Sequence, residues 1–153
     1  MSLDKAAIAE LIPHAGNMVL LDSATNINAN SLSCYTRSHL KIDNPLRTAR
    51  GLSASNGVEY AAQAVALHIA LNNSAGSQTG YLASCRNVQL KRRFLDEINA
   101  ELQVEIRLLD GSVEMGMLKY AFVIQAHTTE ENAHAEILRG ELSIIVMHKG
   151  EDK

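Results

Sequence analysis

Glu59 and Gln63 stand four residues apart in the stretch Asn56 to Leu71, which is otherwise built mostly from alanine and aliphatic side chains. On a helix this spacing puts both on one face. A carboxylate carried into apolar surroundings without a partner costs several kcal/mol, so something must hold it or use it. Desolvation also pushes such a carboxyl towards its protonated form, which suits general-acid work. Two readings of Glu59 are open from these residues. Asn56 as N-cap with Glu59 at the third helical position is a capping-box variant with a purely local role. Alternatively, Glu59 is a carboxylate kept on an apolar helix because chemistry uses it.

The chain has six histidines. His39 follows a strand-like stretch and is the only histidine between that stretch and the Glu59 helix. His14 lies in the loop Pro13-His14-Ala15-Gly16. His68, nine residues after Glu59, falls on the opposite helix face and reads as a core histidine. His127, His134 and His148 sit near strand ends and receive no role. No two histidines have the i, i+4 spacing of a helical zinc site, and no metal or cofactor is expected. No Gly-x-Ser-x-Gly elbow, P-loop or Gly-x-Gly-x-x-Gly turn occurs. Cys34 and Cys85 lie in apolar, alternating stretches and read as reduced, packed thiols. Lys91-Arg92-Arg93 is the densest basic run. It reads either as a solvated strand end balanced by Asp96 and Glu97 or as a docking patch for an acidic partner.

These residues need a scaffold, and its elements are legible. Asp4 to Ile12 reads as a helix ended by Pro13. Met18 to Asp22 reads as a short strand and Asn26 to Asn30 as a turn. Leu32, Cys34 and Thr36 alternate with polar positions as a second strand. His39 to Ser55 is irregular, punctuated by Pro45 and Gly51. The Asn56–Leu71 helix is apolar nearly all round and belongs inside something. After a polar loop, Asn72 to Gly80, four strands follow: Tyr81–Leu90, Leu102–Leu108, Tyr120–Ala126 and Glu136–Met147. Asp110-Gly111 marks a turn, and Gly140 suggests a bulge. One buried helix with about six strands gives an α+β fold, an antiparallel sheet wrapped around one long central helix. The outer face of such a sheet wants cover, which predicts a homo-oligomer.

With 153 residues, 46% hydrophobic and 20% charged, the chain reads as one folded domain, 1–153. The 14 basic and 17 acidic residues, a net charge of −3, no tryptophan and 4% aromatics argue against nucleic-acid binding. No apolar run reaches about 18 residues, so no membrane span is expected. No signal sequence is visible at the start, and a cytoplasmic protein is expected.

Three stretches resemble one family. Pro13-His14-Ala15-Gly16-Asn17-Met18-Val19-Leu20-Leu21-Asp22 is similar to the opening Pro-His-Arg-x-Pro-x-Leu-Leu-x-Asp of hotdog-fold 3-hydroxyacyl-[acyl-carrier-protein] dehydratases. Gly57-Val58-Glu59-Tyr60-Ala61-Ala62-Gln63-Ala64 resembles their central-helix Glu-x-x-Ala-Gln. Tyr81 to Arg93 resembles their strand ending in a basic pair. The variant Gly-Val-Glu-Tyr-Ala-Ala-Gln, preceded by Asn44-Pro45-Leu46-Arg47, looks nearest to the ApeP-like branch.

The resemblance implies a hotdog fold and dehydration of 3-hydroxyacyl thioesters on acyl carrier protein, in fatty acid or polyketide-type biosynthesis. It puts Glu59 in the catalytic carboxylate slot. The family histidine sits in Gly-His-Phe-Pro-Gly-x-Pro ahead of the helix, and Ser38-His39-Leu40-Lys41-Ile42-Asp43-Asn44-Pro45 is the nearest match, which assigns His39. Gly57, Val58, Gln63 and Asn44 become substrate-binding residues. Lys91, Arg92 and Arg93 become the carrier-protein docking patch. A homodimer or higher oligomer with a site shared between protomers is implied, as is possible pairing with another dehydratase. Two alternatives on the same fold are a non-catalytic subunit that binds carrier protein or pairs with an active dehydratase, and an acyl thioesterase.

Overall fold

A computed structural model describes residues 1–73, 78–127 and 134–148. A two-residue strand β1 (Leu3–Asp4) leads into helix α1 (Lys5–Leu11), capped by the Asp4 carboxylate accepting from the Ala7 N–H at 2.9 Å. Strands β2 (Ser23–Thr25) and β3 (Ser31–Thr36) are joined by the asparagine turn. There Asn28 Oδ1 accepts from the N–H groups of Asn30 and Ser31, and Asn26 adopts φ 53°. Helix α2 (Gly57–Asn72) follows, then β4 (Gln78–Leu90), β5 (Glu101–Ser112), β6 (Met117–His127) and β7 (His134–His148).

The strands form one antiparallel seven-stranded sheet in the order β1-β2-β3-β5-β6-β7-β4. Strand β4, next to α2 in sequence, sits at the far edge. Helix α2 packs against β3, β4, β5 and β6, and α1 packs on α2. Tyr60, Ala61, Ala64, Val65 and Leu67 of α2 are buried against Leu32, Val104, Ile106, Phe122, Ile124, Leu138 and Leu142 of the sheet. The period-two pattern of β5 explains its contribution, with Leu102, Val104 and Ile106 buried and Glu105 and Arg107 exposed. Each large aliphatic side chain so buried contributes about 1.5–3 kcal/mol. Of α2, only Asn72 is exposed, as the all-round apolar composition requires.

Several local expectations are corrected. Met18 to Asp22 is not a strand. Gly16–Met18 is a 3-10 turn, and β2 begins only at Ser23, because the Leu20 backbone is bonded by side chains rather than by a neighbouring strand. Asp110-Gly111 is not the hairpin turn. Strand β5 runs through it with a register shift, and the chain turns at 113–116. The bulge expected at Gly140 lies opposite it, in β4, where Asn87 takes φ 55°. Gly140 itself lies under Phe122, whose ring would stand 2.9 Å from an added Cβ. The loop expected over Asn72–Gly80 lies partly outside the described residues.

Candidate active site

A 3-10 turn, Ala54–Asn56, runs straight into α2. Asn56 makes no side-chain cap, and its own N–H donates to the Ser53 carbonyl at 3.0 Å. The backbone group that a capping-box glutamate would bond is therefore occupied. Glu59 instead reaches a different segment: its Oε1 lies 3.1 Å from His14 Nε2. Both side chains are reachable from solvent, His14 at 25% exposure and Glu59 at 35%. The purely local reading of Glu59 does not describe this geometry.

His14 is strung between two anchored points. Before it, Ile12 is buried and its N–H closes α1 on the Ile8 carbonyl. After it, Gly16 takes φ 62°, a conformation that favours glycine, and the turn closes through Val19 N–H to Gly16 O. Gln63, one helical turn beyond Glu59, accepts from the Leu20 N–H at 3.0 Å and donates to the Met18 carbonyl at 2.6 Å. The Leu20 carbonyl accepts from Ser38 Oγ at 2.7 Å and from Thr36 Oγ1. The Tyr60 hydroxyl, also from α2, joins Ser38 Oγ at 2.9 Å and accepts from Asn44 Nδ2 at 3.0 Å. Burial is the main cause holding the Tyr60 hydroxyl above its ordinary pKa, with Ser38 and Asn44 opposing.

The structure does not bring His39 to Glu59. The 3-10 turn Ser38–Leu40 folds inward, and the His39 ring is fully buried, donating from Nε2 to the Ile98 carbonyl at 2.9 Å. Its Nδ1 is enclosed with no partner among the described residues. Desolvation by burial lowers its pKa, with the hydrogen bond to the Ile98 carbonyl opposing, and favours the neutral ring. Gln63 and Asn44 do not face a substrate either. Both amides are buried and bonded to the chain itself; Asn44 donates to the Ser38 carbonyl and accepts from the Leu46 N–H.

Gly57 is buried too. An added Cβ would stand 2.7 Å from a Leu138 methyl and 3.1 Å from Ile124, so glycine here lets the helix start press on the sheet. Its N–H is turned to the Ala54 and Ser55 carbonyls, not outward. Val58 is half-buried and, with Ala62, Ala66 and Ile69, forms a half-buried apolar stripe leading along α2 away from Glu59.

In the basic run, Lys91 pairs with Glu136 at 3.1 Å, not with Asp96 or Glu97. Asp96 is engaged by Arg47 at 3.2 Å. Arg92 and Arg93 are exposed, and the Arg93 carbonyl accepts from the Ala54 N–H at 2.8 Å, which brings the run to the start of α2. His68 sits in the core between the Tyr120 hydroxyl at 2.8 Å and the Asn28 carbonyl at 2.9 Å. Cys34 is the packed thiol expected, pushed up to about 12 by desolvation, whereas Cys85 is exposed and not packed. Among the described residues no group of three or more His, Cys, Asp or Glu side chains could hold a metal ion, and no helix is long and apolar enough to cross a membrane.

The contact between His14 and Glu59 escapes sequence reasoning because the family's histidine motif finds its nearest match at Ser38 to Pro45, which assigns His39. The usable signal was Gln63, whose face-sharing with Glu59 implies that the segment it bonds also approaches the carboxylate.

No curated protein matches the chain in sequence. Among solved structures it is similar to the dehydratase heterocomplex ApeI:P from Xenorhabdus doucetiae, at 21% identity and TM-score 0.77, with 94% of this chain and 93% of that one covered. It is also similar to the dehydratase domain of RzxB from Pseudomonas fluorescens, at 14% identity and TM-score 0.63, covering 94% of this chain and 49% of that one. A thioesterase family protein from Silicibacter pomeroyi matches at 8% identity and TM-score 0.59, covering 82% and 83%. These likenesses establish the hotdog fold. The family model described as ApeP dehydratase matches residues 6–147, nearly the whole chain, and the chain belongs to the ApeP-like dehydratase family.

Proposed function

We propose that this protein dehydrates 3-hydroxyacyl thioesters carried on acyl carrier protein, with His14 and Glu59 as its acid–base pair. The observation that carries this reading is the 3.1 Å contact between His14 Nε2 and Glu59 Oε1 at a solvent-reachable point on α2. Elimination needs a base to take the proton α to the thioester and an acid to protonate the departing β-hydroxyl. His14 takes the α-proton and becomes imidazolium. The C–H electron pair forms the new double bond, the C–O bond breaks, and Glu59, acting in its protonated form, gives its proton to the leaving oxygen, which departs as water. The imidazolium then returns a proton to the carboxylate beside it. The positive end of the α2 dipole favours charge developing on the thioester oxygen. The Val58–Ala62–Ala66–Ile69 stripe is the wall along which the acyl chain lies. The exposed Arg92 and Arg93, with Lys91, receive an acidic carrier protein beside the helix start.

For assembly, we propose that edge strand β4 pairs with a second hotdog chain, either a copy of this one or another dehydratase. Tyr81, Leu82, Val88 and Leu90 are exposed on this strand, and its outer edge has no neighbour among the described residues. A long unprotected edge of this kind invites another strand. The similar solved structure described as a dehydratase heterocomplex supports the second option.

The test is incubation with a 3-hydroxyacyl carrier protein, alone and with a cognate dehydratase, followed by mass spectrometry of the carrier. Loss of water supports the proposal. Loss of the acyl group assigns a thioesterase. An unchanged but bound carrier assigns a non-catalytic subunit.

A further inference from the structure

We infer that Gln63 and Tyr60 are positioning residues: acting through the Leu20 peptide, they hold the His14 segment on α2 and so set His14 against Glu59. The inference rests on the reading of His14 and Glu59 as the working pair.

Residues 19–22 look like a strand in sequence but belong to none, and the Leu20 backbone is gripped by side chains on both sides. Its N–H goes to Gln63, and its carbonyl to Thr36 and Ser38. Gln63 also holds the Met18 carbonyl, so one amide clamps the chain on either side of Val19. Thr36, Ser38, Tyr60 and Gln63 are all buried, at 4% exposure or less. The hydroxyl pair is itself tied to α2 by Tyr60, which Asn44 braces from the other side.

A buried polar network whose members are satisfied fixes one arrangement, because each alternative leaves an unpaired group. The consequence for His14 is mechanical. Only Pro13 separates it from buried Ile12, and only three residues separate it from clamped Met18. The clamp and the carboxylate ride on the same helix, about 6 Å apart along its axis. The separation between Glu59 and the anchor of the His14 segment is thus set by helix geometry, not by a flexible loop.

The experiment combines kinetics with ring resonances of protein carrying 15N-labelled histidine. Gln63→Ala is expected to lower kcat about 10²-fold, the scale of a misplaced catalytic group, with KM little changed. In a His14→Ala background the same substitution is expected to cost almost nothing, because the clamp acts through His14. Gln63→Ala and Glu59→Gln should each move the His14 ring resonances. Tyr60→Phe, one step further from Leu20, should move them less.

Losses that multiply in the double variant overturn the inference, as do His14 resonances that stay in place in a folded Gln63→Ala protein. Should Gln63→Ala fail to fold, Gln63→Glu keeps the acceptor for Leu20 but loses the donor to Met18 when ionised. Its His14 resonances should differ from wild type at neutral pH and converge on it as acid returns an O–H donor; no difference at either pH overturns the inference. A wild-type protein with no dehydratase activity whose resonances nevertheless respond refutes the functional reading and leaves the positioning intact.

Discussion

His14 and His39 occupy comparable places in the chain. Each lies just past the end of a regular element, and each has one ring nitrogen engaged and the other enclosed without a partner among the described residues. What differs is the partner and the water. His39 meets a backbone carbonyl in a site with no exposure, and burial holds its pKa down. A carbonyl fixes one tautomer and exchanges no proton. His14 meets a carboxylate at a quarter exposure, where solvent and a substrate can reach the pair. One ring is sealed in the core, and the other lies open beside a carboxylate.

The largest expected effects break this comparison most directly. His14→Ala and Glu59→Gln should each lower turnover of a 3-hydroxyacyl carrier protein by about 10²–10⁴-fold, the usual cost of losing a general acid or base. His39→Gln, which keeps an N–H donor for Ile98, should leave turnover within a few-fold. Steady-state kinetics on the three variants, with folding checked by circular dichroism, decides it. A folded His39→Gln protein that has lost turnover would invert the assignment.

Stability should report the opposite ranking. His39→Ala leaves the Ile98 carbonyl buried without its donor, a loss of about 1–3 kcal/mol, and adds a cavity term. His14→Ala empties a partly exposed position and should cost well under that. Urea unfolding of both variants gives the comparison, and equal midpoints would remove the distinction between a core ring and a working ring.

The fold was legible because α2 has no polar face and β5 alternates cleanly, so burial decided both before any long-range contact was known. Glu59 was legible for the same reason, as a carboxylate in an apolar run. Its partner was not. The motif match at Ser38 to Pro45 points to His39, but the inward 3-10 turn at Ser38–Leu40 and the side-chain clamp on Leu20 are long-range facts. The Met18–Asp22 run looked like a strand because its apolar residues are indeed buried. Periodicity cannot tell a buried strand from a buried segment whose backbone is bonded by side chains.

The pH dependence of stability sharpens the comparison further. His39 and His68 are both held below the ordinary value of 6.5, mainly by burial. As pH falls through 6.5 the unfolded chain takes up protons at these positions and the native state does not. Native stability is therefore full above 6.5 and declines as pH falls below it, by up to about 1.4 kcal/mol per pH unit for each ring until the native ring itself titrates. Thermal melts between pH 7.5 and 5 should show the decline, and His39→Gln should flatten it. An unchanged slope in that variant would mean that His39 takes up its proton in the native state.

The smallest effect separates members of the basic run from one another. Lys91 is already engaged by Glu136, whereas Arg92 and Arg93 are exposed and make no ion pair with a described residue. Exposed charges steer a partner more than they hold it, and salt screens them within about 10 Å at 0.1 M. Arg92→Ser and Arg93→Ser should therefore raise KM for a carrier-borne substrate a few-fold at low salt, and the difference from wild type should vanish as salt rises. Lys91→Ser should do less, because Lys91 is already paired with Glu136, which keeps Arg139 when Lys91 is removed. None of the three should change KM for a small thioester that lacks the carrier, since none of them touches His14 or Glu59. If the arginine variants weaken the small substrate equally, the run belongs to the acyl site itself and not to a carrier-docking surface.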